Sequence, residues 1–344
     1  MRIRDQIGRE GPVPFERFME LALYGPEGYF MAPILRSEKA GDFLTSPEVS
    51  PLFGQTLAGF VAAEKQRIGP PFSVVEVGAG SGSLLRPLLE SVRVETWAVE
   101  VSPPAREVLS ALLPRRRVVE SLAEVPRPLR GVIIANELLD NLPMAMAQLT
   151  AEGWRERWVT ADGEGLEMVD RHPRPEVRTW LDRFAGPVDE GGWVEVQLAA
   201  TAWVAETVTE LEGGSLLVVD YGDLAVNLAP RRRDGTLRTY RAHHLGPHPL
   251  AEPGATDITA DVNFSAMMAA AEAAGAEVEL LRQDDFLAAW GLRDILRDLR
   301  HRELEAARGA DHMARLALRS RVAEAETLLH PRGLGDFRVL IARK

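Results

Sequence analysis

The run Glu76-Val77-Gly78-Ala79-Gly80-Ser81-Gly82 joins a carboxylate to three glycines on alternate positions. Glycine lets a backbone approach a ligand closely, so between a strand and a helix this run reads as a nucleotide-binding turn. A dinucleotide fingerprint also begins Gly-x-Gly, and the same residues can form a plain tight turn. Glu100, further along, is placed to accept both ribose hydroxyls of an adenosine-containing ligand, which leaves S-adenosylmethionine and a nicotinamide cofactor equally open. Glu76 separates them. A carboxylate before the first glycine repels a pyrophosphate and attracts an ammonium or a sulfonium. The expected cofactor is therefore S-adenosyl-L-methionine, with S-adenosyl-L-homocysteine as product. Its expected contacts are Glu76, Gly78, Ala79, Gly80, Gly82 and Glu100, joined by Val101, Ser121, Leu122 and Asn136.

Methyl transfer from a sulfonium is an in-line displacement with a neutral leaving group, so positioning supplies most of the help and no protein nucleophile is needed. Asn136, Glu137 and Asp140 follow a strand at the carboxyl end of a sheet, where open α/β folds bind ligands. They are the expected catalytic residues. With an arginine acceptor, Glu137 and Asp140 would hold the guanidinium by charge-assisted hydrogen bonds; alternatively Asp140 and Asn141 only cap a turn before Pro143. Tyr29 and His243 are further candidates for the acceptor side, His243 because histidine titrates near neutral pH. His243, His244, His248, Glu252 and Asp257 match no zinc spacing, so no metal is expected. Arg231-Arg232-Arg233 reads as a solvated charge run or a contact for an acidic partner.

Composition narrows the classes. The 344 residues are 46% hydrophobic and 26% charged, with a formal net charge of −11 and no cysteine. That excludes disulfides, thiolate metal sites and a cysteine nucleophile, and it argues against a long nucleic-acid footprint. The first ten residues are charged and no apolar run approaches a membrane span, so a cytoplasmic protein without membrane or nucleic-acid partners is expected.

Strands are expected near 73–77, 96–100, 117–119, 131–135, 214–220, 277–281 and 336–342, with helices between them. A parallel sheet closed by an antiparallel hairpin of the last two strands is the topology of a class I methyltransferase. The fold class is thus α/β, a Rossmann-like seven-stranded sheet with a helical N-terminal extension and insertions. Residues 1–70 are expected to form a helical cap and 71–344 the core. Insertions span 148–212, a flap over one sheet edge with a hairpin and a helix, and 283–335, helical from Phe286 to Leu329. Residues 222–261 read as a long functional loop.

Four segments carry a family resemblance: Tyr24-Gly25-Pro26-Glu27-Gly28-Tyr29-Phe30; the run from Gly41-Asp42-Phe43 through Thr45-Ser46-Pro47-Glu48 to Phe53-Gly54; the glycine turn; and Ala135-Asn136-Glu137-Leu138-Leu139-Asp140-Asn141-Leu142-Pro143. A weaker match runs from Asp220-Tyr221-Gly222 to Asp261-Val262-Asn263-Phe264. Together they resemble the MidA-like methyltransferase family, whose mitochondrial members are protein-arginine methyltransferases linked to assembly of respiratory complex I. The resemblance implies an arginine acceptor in a protein and places Asp42, Thr45 and Ser46 near the amino-acid end of the cofactor; Thr45-Ser46-Pro47-Glu48 also reads as a local helix cap. Phe30 and Asn263 stand where the family often has Tyr and Asp. A small-molecule O- or N-methyltransferase and a non-catalytic assembly scaffold are the alternatives.

Overall fold

The computed structural model describes residues 3–33, 45–163, 165–241, 244–309 and 311–344. Its main sheet has seven strands: β1 (Ser73–Val77), β2 (Glu95–Val99), β3 (Val118–Val119), β4 (Leu129–Asn136), β5 (Leu211–Asp220), β6 (Glu277–Arg282) and β7 (Arg338–Arg343). Their order is β3-β2-β1-β4-β5-β7-β6, and β7 runs antiparallel to both neighbours. The direction of strand addition reverses between β1 and β4, which makes the gap above their carboxyl ends the expected ligand crevice.

Valine, isoleucine and leucine fill the central strands because both faces are covered. Alternate residues divide with period two. Val75, Ile133, Leu216 and Leu340 pack with helices Leu198–Glu210 and Phe264–Ala273, while Val74, Val132, Leu217 and Val339 pack with helix Leu52–Ile68 and the helices after β6. At the opposite end of the crevice two glycines let strands come close. Gly131 and Gly214 pair in register with φ of 142° and 138°, and a Cβ on Gly131 would stand 1.8 Å from the Ser73 carbonyl oxygen.

Several expectations change. The 148–212 insertion holds the expected hairpin, Gly153–Asp162 with Gly165–Arg171, and the expected helix, Leu198–Glu210, but its strands belong to a second sheet with Ala145–Thr150 and Trp193–Val196, which Val13–Pro14 joins by pairing with Gly153–Asp162. The 1–70 segment divides between two cores. Phe15, Phe18, Met19 and Leu23 pack with Met144, Val159 and Ile258, whereas Leu52–Ile68 lies on the main sheet. The 222–261 loop contains a three-stranded sheet of Arg238–Arg241, His244–Leu245 and Asp257–Thr259. The stretch after β6 breaks into Gln283–Ala289, Leu292–Ala306 and His312–Leu328, the first break at Gly291 with φ 96°. No helix among the described residues is long and apolar enough to cross a membrane.

Gly131→Ala forces a methyl into the backbone of β1 and should destabilise the protein by about 3 kcal/mol or more. Gly165→Ala, whose Cβ would meet only the Asp162 carbonyl at 3.8 Å, should change stability by about 0.5 kcal/mol or less. Urea unfolding of the two variants checks the contrast.

Candidate functional site

The glycine turn leaves β1 with Gly78, Gly80 and Gly82 all at positive φ, 73°, 52° and 76°. Its backbone is tied to the end of β2, since Gly78 N–H donates to the Val99 carbonyl at 2.9 Å and Gly80 N–H donates to Glu100 Oε2 at 2.8 Å. Glu100 Oε1 accepts the Ser102 N–H, also at 2.8 Å. Each carboxylate oxygen therefore keeps a lone pair for a hydroxyl donor. Burial raises the Glu100 pKa, and the backbone N–H groups of Ser102 and Gly80 pull it back.

Glu76 is buried at the base of this turn, and its Oε2 has no hydrogen-bond partner among the described residues. Burial, and then repulsion from Glu100, push its pKa well above the ordinary carboxylate range. An orphaned buried carboxyl oxygen needs a donor or a cation. The residues present thus fit S-adenosylmethionine: Glu100 offers acceptors to a diol, Glu76 a carboxylate to a cation, and Gly78 a bare backbone where a Cβ would come within 3.1 Å of Leu138 Cδ1.

Across the crevice, β4 ends at Asn136 and the chain turns sharply through Glu137, a non-glycine residue at φ 49°. Such backbone strain persists only where surroundings hold it. Here Glu137 N–H donates to the Val219 carbonyl at 2.8 Å, and the carboxylate of Asp220 accepts Leu139 N–H at 3.0 Å and Asp140 N–H at 3.3 Å. Glu137 Oε1 accepts only weakly, from Asn136 Nδ2 at 3.3 Å and Ser46 N–H at 3.4 Å. Burial first, and then the Asp140 charge, push its pKa to about 8. Asp140 Oδ2 accepts the hydroxyls of Tyr221 and of Thr259, the latter at 2.6 Å, while Asp140 Oδ1 and Asn136 Oδ1 are buried without partners among the described residues.

One cavity joins the two halves. Of the residues expected at the site, Tyr29, Thr45, Glu76, Gly78, Ala79, Gly80, Glu100, Val101, Asn136, Glu137 and Asp140 line it. Its wall holds the carboxyls of Glu48, Glu76, Glu100, Glu137, Asp140 and Asp257, and no Lys, Arg or His among the described residues. Four expected residues are not in the wall. A Cβ on Gly82 would meet Leu109 and Leu112 at 3.1 Å, so its bareness serves helix packing. The Ser46 hydroxyl is buried against Gln283. Ser121 caps the turn Leu122–Glu124, where Leu122 also lies. Asp42 and His243 fall outside the described residues.

The cavity also recruits Tyr24, Phe30, Tyr221, Tyr240 and Thr259, which were not singled out for it. Tyr24 and Phe30 stood in the first segment of the resemblance, and Tyr221 and Thr259 in the weaker one, all without a role at the site; Asp-Tyr-Gly at the end of an apolar strand was the available signal. Thr45 does cap a short helix, since its N–H donates to Glu48 Oε2 at 3.1 Å. Asp257, considered with the histidines, accepts from Asn141 Nδ2 at 2.8 Å, and Glu252 pairs with Arg241.

Two outcomes follow for cofactor binding. Glu100→Ala should lower affinity for S-adenosylhomocysteine by about tenfold or more, the scale of hydrogen bonds to a charged group, measured by calorimetry. Because a cation beside Glu76 draws a raised pKa downward, binding near pH 7 should release protons and tighten as pH rises. Titrations in two buffers of different ionisation enthalpy measure the release, which Glu76→Gln should reduce.

A family model described as S-adenosyl-L-methionine-dependent methyltransferase matches residues 56–281. The mitochondrial protein arginine methyltransferase NDUFAF7 of Xenopus tropicalis is 28% identical, covering 88% of this chain and 77% of its own length; the Mus musculus protein is 30% identical, covering 83% and 72%. A crystal structure of a superfamily member from Burkholderia thailandensis, bound to S-adenosyl-homocysteine, superposes with a TM-score of 0.86 at 31% identity over 99% of this chain and 90% of that one. A Rossmann-like sheet in methyltransferase order, an acidic crevice suited to a cationic cofactor and a family match across most of its length show that this chain belongs to the MidA-like family of S-adenosylmethionine-dependent methyltransferases.

Proposed function

We propose that the methyl acceptor is an arginine side chain of a protein. The observation that carries this reading is the carboxyl pair Glu137 and Asp140, which share one cavity wall with Asn136 and face no cationic side chain among the described residues. Two desolvated carboxyls side by side repel one another when ionised, and a guanidinium relieves that repulsion with paired, charge-assisted hydrogen bonds. The curated relatives cited above are named protein arginine methyltransferases, which supports the same acceptor.

The cofactor supplies a methyl group on a cationic sulfur. Glu137 and Asp140 accept N–H groups of the guanidinium and orient one terminal nitrogen, and Asn136 Oδ1 offers a further acceptor. Tyr24, Tyr29 and Phe30 exclude water from that part of the cavity. As the nitrogen–carbon bond forms and the sulfur–carbon bond breaks, the sulfur keeps the bonding electrons and the nitrogen sheds a proton. Glu137, deprotonated above its pKa of about 8, is suited to take that proton and return it to solvent. A cytoplasmic location belongs to the same proposal, although the curated relatives are named mitochondrial; fractionation of cells checks it.

Incubation with methyl-labelled cofactor and a lysate should place label in protein, recovered as methylarginine after hydrolysis; label confined to small molecules would overturn the reading. Glu137→Gln should lower turnover by about a hundredfold, the scale of one transition-state contact, with cofactor affinity nearly unchanged. Survival of turnover in both Glu137→Gln and Asp140→Asn would remove the guanidinium clamp. The sign of the pH dependence follows from the raised pKa: Glu137 is protonated below about pH 8, so kcat/KM should fall as pH drops below that value, a limb that Glu137→Gln should remove.

A further inference from the structure

Asp140 is held by two hydroxyls that no step so far has used. Tyr221 OH and Thr259 Oγ1 both donate to the same oxygen, Oδ2, and also touch one another. The other oxygen, Oδ1, is buried without a partner among the described residues. Both hydroxyl donors come from segments that are hydrogen-bonded to the Asp140 turn. Asp220 Oδ1 accepts the N–H of Tyr221 at 2.9 Å while its Oδ2 accepts those of Leu139 and Asp140. On the Thr259 side, Ala260 N–H donates to the Asp140 carbonyl at 3.2 Å, and Asn141 Nδ2 donates to the Ile258 carbonyl at 3.1 Å. The Tyr221 ring packs edge-on against Phe337 at 5.5 Å, so the phenol cannot swing away without losing that contact. Two donors from separate segments on one oxygen set the carboxylate plane of Asp140.

We propose that Tyr221 and Thr259 are positioning residues for methyl transfer, engaging Oδ2 of Asp140 so that Oδ1 is the oxygen left to the acceptor. The inference rests on the arginine reading for the identity of the acceptor, but the geometry it invokes belongs to the protein alone. Without the hydroxyls Asp140 could rotate and pair either oxygen, and it would lose two donors that favour its ionised form. That second loss matters because the surroundings are acidic: Glu137 shares the turn, Asp220 and Tyr221 come from the end of β5, Tyr24 from helix Phe15–Tyr24, and Asp257 from strand Asp257–Thr259. Arg238, on the neighbouring strand, pairs with Asp261. Burial already raises the Asp140 pKa, and the Thr259 and Tyr221 hydroxyls are the largest influences opposing it.

Tyr221→Phe removes one hydroxyl and keeps the ring; Thr259→Val removes the other at nearly constant shape, and Thr259→Ser restores it. Two readouts are paired. In protein carrying 13C-labelled aspartate and saturated with S-adenosylhomocysteine, the Asp140 carboxyl, identified by its loss in Asp140→Asn, should titrate about one pH unit or more higher in Tyr221→Phe and Thr259→Val. Thr259→Ser should match the parent. With the acceptor recovered from labelled lysate, kcat should fall about tenfold in the first two variants, with cofactor affinity within about twofold. An unmoved Asp140 titration together with unchanged kcat in folded variants overturns the proposal, as does a loss of thermal stability with neither effect. If the acceptor proves not to be arginine while the titration and kcat shift as stated, the positioning role stands and the arginine reading falls.

Discussion

The cavity of this protein is built around buried carboxyls, with no Lys, Arg or His among the described residues of its wall. Six carboxyls enter its wall, no cationic side chain among the described residues joins them, and burial pushes at least Glu76, Glu100, Glu137 and Asp140 above their ordinary pKa. Glu76 Oε2 and Asp140 Oδ1 are buried without partners among the described residues, which is unfavourable until a donor or cation reaches them. Surface carboxylates tell the contrasting story, since many find arginines: Arg127 with Glu210, Arg178 with Asp182, Arg300 with Glu326. The cavity is where that pairing stops.

The rest of the fold serves to hold these carboxyls where water is scarce. β1 and β4 lie side by side at the switch point, delivering Glu76 and Asn136 to one crevice. β5 then secures the turn after β4 through Val219 and Asp220, which keeps Glu137 in a backbone conformation that it would not adopt alone. The N-terminal helices and the second sheet, remote in sequence from the glycine turn, close the cavity with Tyr24, Tyr29 and Phe30, and Tyr24 donates to the Asn141 carbonyl at 3.2 Å. Elements outside the main sheet thus complete a cavity whose carboxyls the sheet positions.

Local chemistry explains what could be read from the chain and what could not. All seven strands of the main sheet announce themselves as short apolar runs, and Pro103–Leu112 is legible because Ser102 and Pro103 mark its start. Glu76, Glu100, Glu137 and Asp140 stand out because carboxyls beside apolar strands and glycines violate simple burial patterns. The second sheet was harder, since Val13–Pro14 pairs with a strand some 145 residues away and only tertiary contact reveals it. Asp220 and Tyr221 carried only the Asp-Tyr-Gly signal: their partners, three backbone N–H groups for one and the carboxylate of Asp140 for the other, are set by tertiary contact. Gly82 misled for the opposite reason, as a glycine in a binding motif can be bare for a helix instead of a ligand.

Charge recognition at the acceptor side can be tested apart from turnover. With S-adenosylhomocysteine bound, calorimetry would compare an arginine peptide from the labelled acceptor with the same peptide carrying citrulline, which keeps the shape and removes the charge. If Glu137 and Asp140 await a cation, the citrulline peptide should bind at least about tenfold more weakly, on the scale of one charge-assisted hydrogen bond. Equal affinities for the two peptides would contradict the claim that unbalanced carboxylates select the acceptor.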